Sequence, residues 1–109
     1  MSVARAITSF TEHEIQALFY KARTVVKQPS IEIRSAQTDA EFGRILIVLP
    51  RAVGTAPERN LIKRRLKAIF YQEKWYEKKI DLIVLVRKGA TKFTFHELET
   101  LLEQVFTTR

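Results

Sequence analysis

"GTAPERNLIKRRLKAIF", residues 54–70, lies between two continuously apolar runs, "ILIVL" (45–49) and "LIVLV" (82–86). How this stretch is read decides the fold. Apolar runs of that length suit central strands covered on both faces, and what joins them sets the architecture. The joining segment carries a helix start signal. Thr55-Ala56-Pro57-Glu58 is a Thr-x-x-Glu capping box. In such a box the Thr oxygen takes an orphan amide of the first turn, and the Glu reaches back to the cap's own amide. Pro57 agrees, because the first turn tolerates a residue without an amide donor.

The same signal recurs on either side, as "TEHE" (11–14) and "TFHE" (94–97). Each precedes an apolar stripe at helical spacing: Ile15, Leu18 and Phe19 in the first case, Leu98, Leu101, Leu102, Val105 and Phe106 in the second. Strand-like sequence fills the space between the first two helices: "TVV" (24–26), "SIEIRSA" (30–36) and "GRILIVL" (43–49). "SIEIR" alternates, placing Ile31 and Ile33 on one face and Glu32 and Arg34 on the other, as in a half-exposed strand. "QTDAEFG" (37–43) reads as the loop of an antiparallel pair. The expected order is α-β-β-β-α-β-α in an α+β fold, and residues 1–109 form one domain with a single core.

The middle helix divides by charge. Advancing about 100° per residue, Ile62, Leu66, Ile69 and Tyr76 fall on one side. Asn60, Lys63, Arg64, Lys67, Tyr71 and Lys74 fall on the opposite side, with Arg59 at one border of the apolar face and Arg65 near the other. Trp75 and Tyr76 are expected to close the helix by packing at the core edge. Arg59 to Lys67 holds five basic side chains and no acid. Like charges at i,i+4, such as Arg59/Lys63 and Lys63/Lys67, each cost about 0.2–0.5 kcal/mol. A face selected only for solubility would intersperse acids. Just upstream, "RAVGTAP" adds Arg51 and a helix N-terminus whose amides can hold a phosphate. With nineteen Lys and Arg against twelve Asp and Glu, the chain carries +7, a balance that favours polyanions. The last helix, with Glu97, Glu99 and Glu103, would face away from them.

Other chemistries find little support. There is no cysteine, hence no thiolate metal site or disulfide framework. The apolar runs are too short to span a bilayer, and "MSVARAITSF" lacks the apolar stretch of a signal peptide. A soluble, cytoplasmic protein without a membrane partner is expected. His13 and His96 read as exposed first-turn residues with no second ligand at metal spacing. "EKK" (77–79) is similar to the E-x-K of metal-dependent nucleases but lacks an identifiable partner Asp, since Asp81 adjoins a strand and Asp39 lies in a loop. No catalytic residue and no protein metal site is expected.

"LPRAVGTAPERNLIKRR" (49–65) resembles the signature of the bacterial ribonuclease P protein component, V-S-K-K-V-G-N-A-V-x-R-N-R-x-K-R-x-x-R-E. Arg51, Val53, Gly54, Ala56, Arg59, Asn60, Lys63 and Arg64 match, and Lys67 keeps the charge of the family Arg. The resemblance continues through "ALFYKAR" (17–23), a strand ending at Arg87 ahead of Gly89-Ala90, and "FTFHELETLLEQVF" (93–106). Ala52, Thr55, Leu61 and Ala68 depart from the family Lys, Asn, Arg and Glu, and Pro50 stands where Ser is usual. Two phosphate contacts are lost with the Lys and the Arg; Arg23, Lys27 and Arg87 are candidates to replace them.

The resemblance implies a two-layer sandwich with a left-handed β-α-β crossover, where the general rule would give a right-handed one. It implies an RNA-binding subunit of ribonuclease P, an endoribonuclease holoenzyme that matures the 5′ end of tRNA. The catalytic RNA and precursor tRNA are the implied partners, in a 1:1 particle with a monomeric protein. Mg2+ would be held mainly by the RNA, which carries the chemistry. Arg51, Arg59, Asn60, Lys63, Arg64 and Lys67 would contact the RNA subunit. The 5′ leader of precursor tRNA would lie between the first helix and the sheet, against Phe19, Ile15 and Arg34. The alternatives are a stand-alone basic RNA-binding module, ribosomal or regulatory, a protein nuclease acting through its own carboxylates, and a family member that has lost its function.

Overall fold

A computed structural model of the chain describes residues 3–107. Its elements follow the order α1 (Val3–Ala6), α2 (Glu12–Lys21), β1 (Arg23–Gln28), β2 (Ile31–Gln37), β3 (Ile45–Val48), α3 (Ala56–Gln72), β4 (Ile80–Val86) and α4 (Phe95–Thr107). Single 3-10 turns at Arg51–Val53, Trp75–Lys78 and Ala90–Lys92 punctuate the connections. Apart from the one-turn α1, this is the α-β-β-β-α-β-α order of the sequence reading. All three capping boxes form: Thr11, Thr55 and Thr94 each accept from the amide three residues on, and Glu14, Glu58 and Glu97 each accept from the cap's amide. Each Thr cap is worth about 1 kcal/mol. Gly54 stands before the middle box because a side chain there would run into the Glu58 carboxylate, 2.8 Å away.

The sheet runs β1-β2-β4-β3, with β3 parallel to β4 and the other pairs antiparallel. α3 is thus the crossover of a β-α-β unit. Residues 37–43 do not close an antiparallel pair as expected: β4 inserts between β2 and β3, so the loop passes over a strand position. β3 is accordingly an edge strand, half-covered at Leu46, Ile47 and Val48 rather than buried on both faces. Only β4 matches the expected central strand, with six of its seven residues buried.

One sheet face, through Ile31, Ile33, Ile45, Leu82, Val84 and Val86, packs on Ile62, Leu66, Ile69 and Phe70 of α3 and on Leu98, Leu101, Leu102 and Val105 of α4. This is the main core. The opposite face carries α2, whose Leu18 packs with Ala36 and Ile83. α3 does not continue to Tyr76. It ends at Gln72, and Lys74, at φ 55°, turns the chain into the Trp75–Lys78 turn. A left-handed lysine costs about 1 kcal/mol. Its return is the buried Trp75 ring, stacked on Phe106 with centroids 4.8 Å apart. The core-edge role expected of Trp75 and Tyr76 holds, although both lie beyond the helix.

Candidate functional site

Two surfaces gather basic side chains, and they are built differently. The first is the outer face of α3. Ile62, Leu66 and Ile69 are at most 4 % exposed, so packing on the sheet fixes the helix's rotation and forces the opposite residues outward. Asn60, Lys63 and Arg64 are exposed, as is Arg51 in the turn ahead of the helix; Arg59 and Lys67 are half-buried. All six residues expected to bind RNA therefore line α3 and its approach. Among the described residues, no ion pair involves any of these basic side chains. Arg65, at the apolar border, is spent differently: its Nη1 donates to the Phe93 carbonyl at 3.5 Å, tying α3 to the segment before α4.

The second surface is the groove between α2 and the sheet. Here the strand register does the assembling. Glu32, Arg34 and Ala36 point to the α2 face of β2, opposite Leu85, Ile83 and Asp81 of β4, while Leu46 and Val48 flank them on β3. Phe19 of α2 packs into the same apolar cluster with Phe10, Leu46, Val48 and Leu85, all only partly covered. Ile15 is half-buried one turn earlier. Of the three residues expected there, Phe19 and Arg34 thus share this face of the sheet.

The sequence reading treated Glu32 as half-exposed; it is 3 % exposed. Its carboxylate accepts from Arg34 Nε at 2.8 Å, Arg87 Nη2 at 2.9 Å and Thr24 Oγ1 at 2.9 Å. These bonds, Arg34's first, hold its pKa down to about 2, because each favours the charged form against the cost of burial. Glu32 is a clamp. It aims two guanidiniums whose side chains remain 31% and 45% exposed. Arg87 joins because the β2–β4 pairing continues past Val86, with the Arg87 amide donating to the Ser30 carbonyl at 2.8 Å. Glu32 lies outside the expected site set, and Arg87 figures in it only as a candidate replacement phosphate contact; only the β2–β4 register reveals that the two meet.

A second arginine network anchors α2. Arg44 pairs with Glu14 at 3.1 Å, donates to the Ser9 carbonyl at 2.8 Å and lies over the Phe10 ring, 4.3 Å from its centroid. The capping amide of Thr11 and the Arg44 guanidinium together hold the Glu14 carboxyl down to about 2. The neighbouring Asp81 is buried and accepts from the Arg44 amide at 2.8 Å; desolvation still pushes its pKa up. Beyond the other end of α2, a cavity of about 400 Å3 is lined by Lys21, Arg23, Ser35, Ala36 and Gln37.

His13 and His96 are exposed, as are Glu77 and Lys79, in and just after the Trp75–Lys78 turn. Among the described residues, no group of three His, Cys, Asp or Glu is placed to hold a metal ion, and no helix is long and apolar enough to cross a membrane.

Comparison with known proteins bears on the family and the fold. Residues 10–109 match the family model for Ribonuclease P. The Ribonuclease P protein component of Bacillus pumilus is 30% identical over 95 residues, covering 85% of this chain and 79% of that protein. The same component of Macrococcus caseolyticus is 28% identical over 92 residues, covering 84% and 80%. Among solved structures, the Staphylococcus aureus RNase P protein superposes with a TM-score of 0.78 at 22% identity, covering 94% of both chains. The Thermotoga maritima RNase P protein gives 0.75 at 18% identity, covering 94% of this chain and 96% of that one. The four-stranded sheet with its helices is the fold of these proteins.

Proposed function

This chain belongs to the ribonuclease P protein family, and from that premise we propose that it serves as the RNA-binding subunit of a tRNA-processing endoribonuclease. Its partners are the catalytic RNA and precursor tRNA, and its place is the cytoplasm. The single observation that carries the reading is the outer face of α3, where Arg59, Lys63, Arg64 and Lys67 stand without acidic partners on a helix pinned by its buried face. Unpaired cations at helical spacing suit a row of phosphates and give binding that weakens steeply with salt. Asn60 and Arg51 extend that contact to the RNA subunit.

The groove holds the 5′ leader of the precursor. Phe19 offers a half-buried ring beside an apolar floor, and a single strand is bound by stacking together with backbone charge. Beside Phe19 the groove supplies clamped guanidiniums, Arg34 and Arg87, whose planes can stack on a base or fork onto a phosphate. Ile15 contributes apolar cover only. The chain's own residues bind and orient; the scissile phosphodiester and the Mg2+ ions belong to the RNA. The groove carboxylates favour that division, since Glu14 and Glu32 are both engaged by arginines.

The test is cleavage of precursor tRNA by a bacterial ribonuclease P RNA at low Mg2+, with and without this protein. Stimulation with the RNA present, and no cleavage by the protein alone, is the expected result. Salt-sensitive RNA binding without stimulation would instead mark a stand-alone RNA-binding module.

A further inference from the structure

The cationic strip of α3 ends on an aromatic side chain that neither the core nor the contact set above uses. Tyr71 lies on the same side of the helix as Asn60, Lys63, Arg64 and Lys67, and it is 42% exposed. Its ring stacks on Tyr76, with centroids 5.8 Å apart and planes 18° from parallel. An uninterrupted helix could not make this pair, since residues five apart point about 140° away from each other. The left-handed Lys74 breaks the helix and folds Tyr76 back onto Tyr71. Tyr76 is itself fixed: it packs against the main core, and its carbonyl accepts from the Gly43 amide at 2.7 Å. Tyr71 is therefore a backed ring held at the protein surface. Lys67 stands one turn before it, and Lys74 and Lys78, both exposed, follow it.

We propose that Tyr71 is a stacking platform for an unpaired base of the RNA that docks along α3. The proposal rests on the docking reading above and adds a contact of another kind at the strip's far end, about 16 Å along the axis from Asn60. Cations alone track a backbone whether its bases are paired or not. A rigid ring flanked by lysines selects a point where a base is free to leave the stack, because stacking needs an open π-face and nearby charge neutralises that nucleotide's phosphates. A ring already supported by Tyr76 loses little freedom on binding.

The experiment is a salt titration of affinity for a bacterial ribonuclease P RNA, using the full chain and its Tyr71→Ala, Tyr71→Phe, Tyr71→Leu and Lys63→Ala variants. Tyr71→Ala should bind about 5- to 100-fold more weakly with an unchanged salt slope, because a stack rather than a phosphate contact is lost. Tyr71→Phe should bind like wild type. Tyr71→Leu keeps apolar cover over Tyr76 and should bind as weakly as Tyr71→Ala, which separates stacking from folding. A 20-nucleotide uridine strand should lose affinity on Tyr71→Ala, and a duplex RNA of that length should not. If Lys63→Ala flattens the salt slope while Tyr71→Ala binds like wild type, the platform is refuted and the docking face stands. If neither variant changes binding, the docking reading fails and the platform with it. Equal losses for strand and duplex, or a Tyr71→Phe as weak as Tyr71→Ala, would refute stacking on an unpaired base.

Discussion

The outer face of α3 and the groove under α2 both present arginines and lysines, yet they hold them in opposite ways. On the outer face of α3, Lys63, Arg64 and Lys67 join no ion pair among the described residues and are oriented by the helix that carries them. In the groove they are fixed by carboxylates: Arg34 and Arg87 by Glu32, Arg44 by Glu14. An unpaired cation gives up its counterions to any phosphate and contributes affinity that salt erodes. A clamped guanidinium has already lost its rotational freedom and offers a fixed edge, so it contributes discrimination more than attraction. One surface is suited to adhesion and the other to recognition.

The largest effect that could break this contrast comes from removing charge on α3. The triple variant Lys63→Ala, Arg64→Ala, Lys67→Ala should lower the slope of log affinity against log salt by about 2–3. Its melting temperature should hold, because none of the three joins an ion pair among the described residues. Retained slope would place the RNA elsewhere. Next is Arg34→Ala, read as the ratio of precursor to mature tRNA affinity in the assembled particle. That ratio should fall by about 5- to 10-fold, as for one solvent-accessible hydrogen-bonded contact of roughly 1–1.4 kcal/mol, while affinity for the RNA subunit stays put. Equal weakening toward both tRNAs would dissolve the distinction.

Glu32→Gln sharpens the contrast from the stability side. Loss of the buried charged acceptor should destabilise the fold by about 1–3 kcal/mol, visible in a denaturant midpoint. The sign with pH follows from the depressed carboxyl, held at about 2 against an ordinary 4.5. The clamp's contribution is complete above the ordinary value and disappears as pH falls from about 4.5 toward 2. Wild type and variant should therefore converge in acid; a constant gap from pH 6 to pH 3 would exclude the clamp. Asp81 gives the smallest effect, with the opposite sign. Its raised pKa means that the ionised form opposes folding, so Asp81→Asn should slightly raise the midpoint at pH 7. The gain should shrink as pH falls through the raised value and the wild-type carboxyl becomes neutral.

How far each surface could be read in advance follows from the range of the forces involved. Capping boxes and helical stripes are local, so the positions of Thr11, Thr55 and Thr94 and the charged face of α3 were legible from spacing alone. Strand pairing is not local. Nothing within "SIEIRSA" or "LIVLV" says that β4 inserts beside β2, so neither the edge position of β3 nor the meeting of Glu32 with Arg87 could be deduced. Alternation placed Glu32 and Arg34 on one face and then misjudged it, because strand periodicity says which side a residue takes and not what covers it. The helix end was misplaced for a related reason. Lys74 has no preference for left-handed backbone, and the tertiary packing of Trp75 on Phe106 and of Tyr76 on Tyr71 stabilises the break there.

The most direct test of the two-surface division uses the absence of cysteine from the chain. Single cysteines introduced as Asn60→Cys on α3 and Val48→Cys at the groove edge can carry a short photo-cross-linker into the particle assembled with precursor tRNA. The label at position 60 is expected to attach to the RNA subunit, and the label at position 48 to the 5′ leader of the precursor. Leader cross-links from position 60, or subunit cross-links alone from both positions, would contradict the division of labour between adhesion on α3 and recognition in the groove.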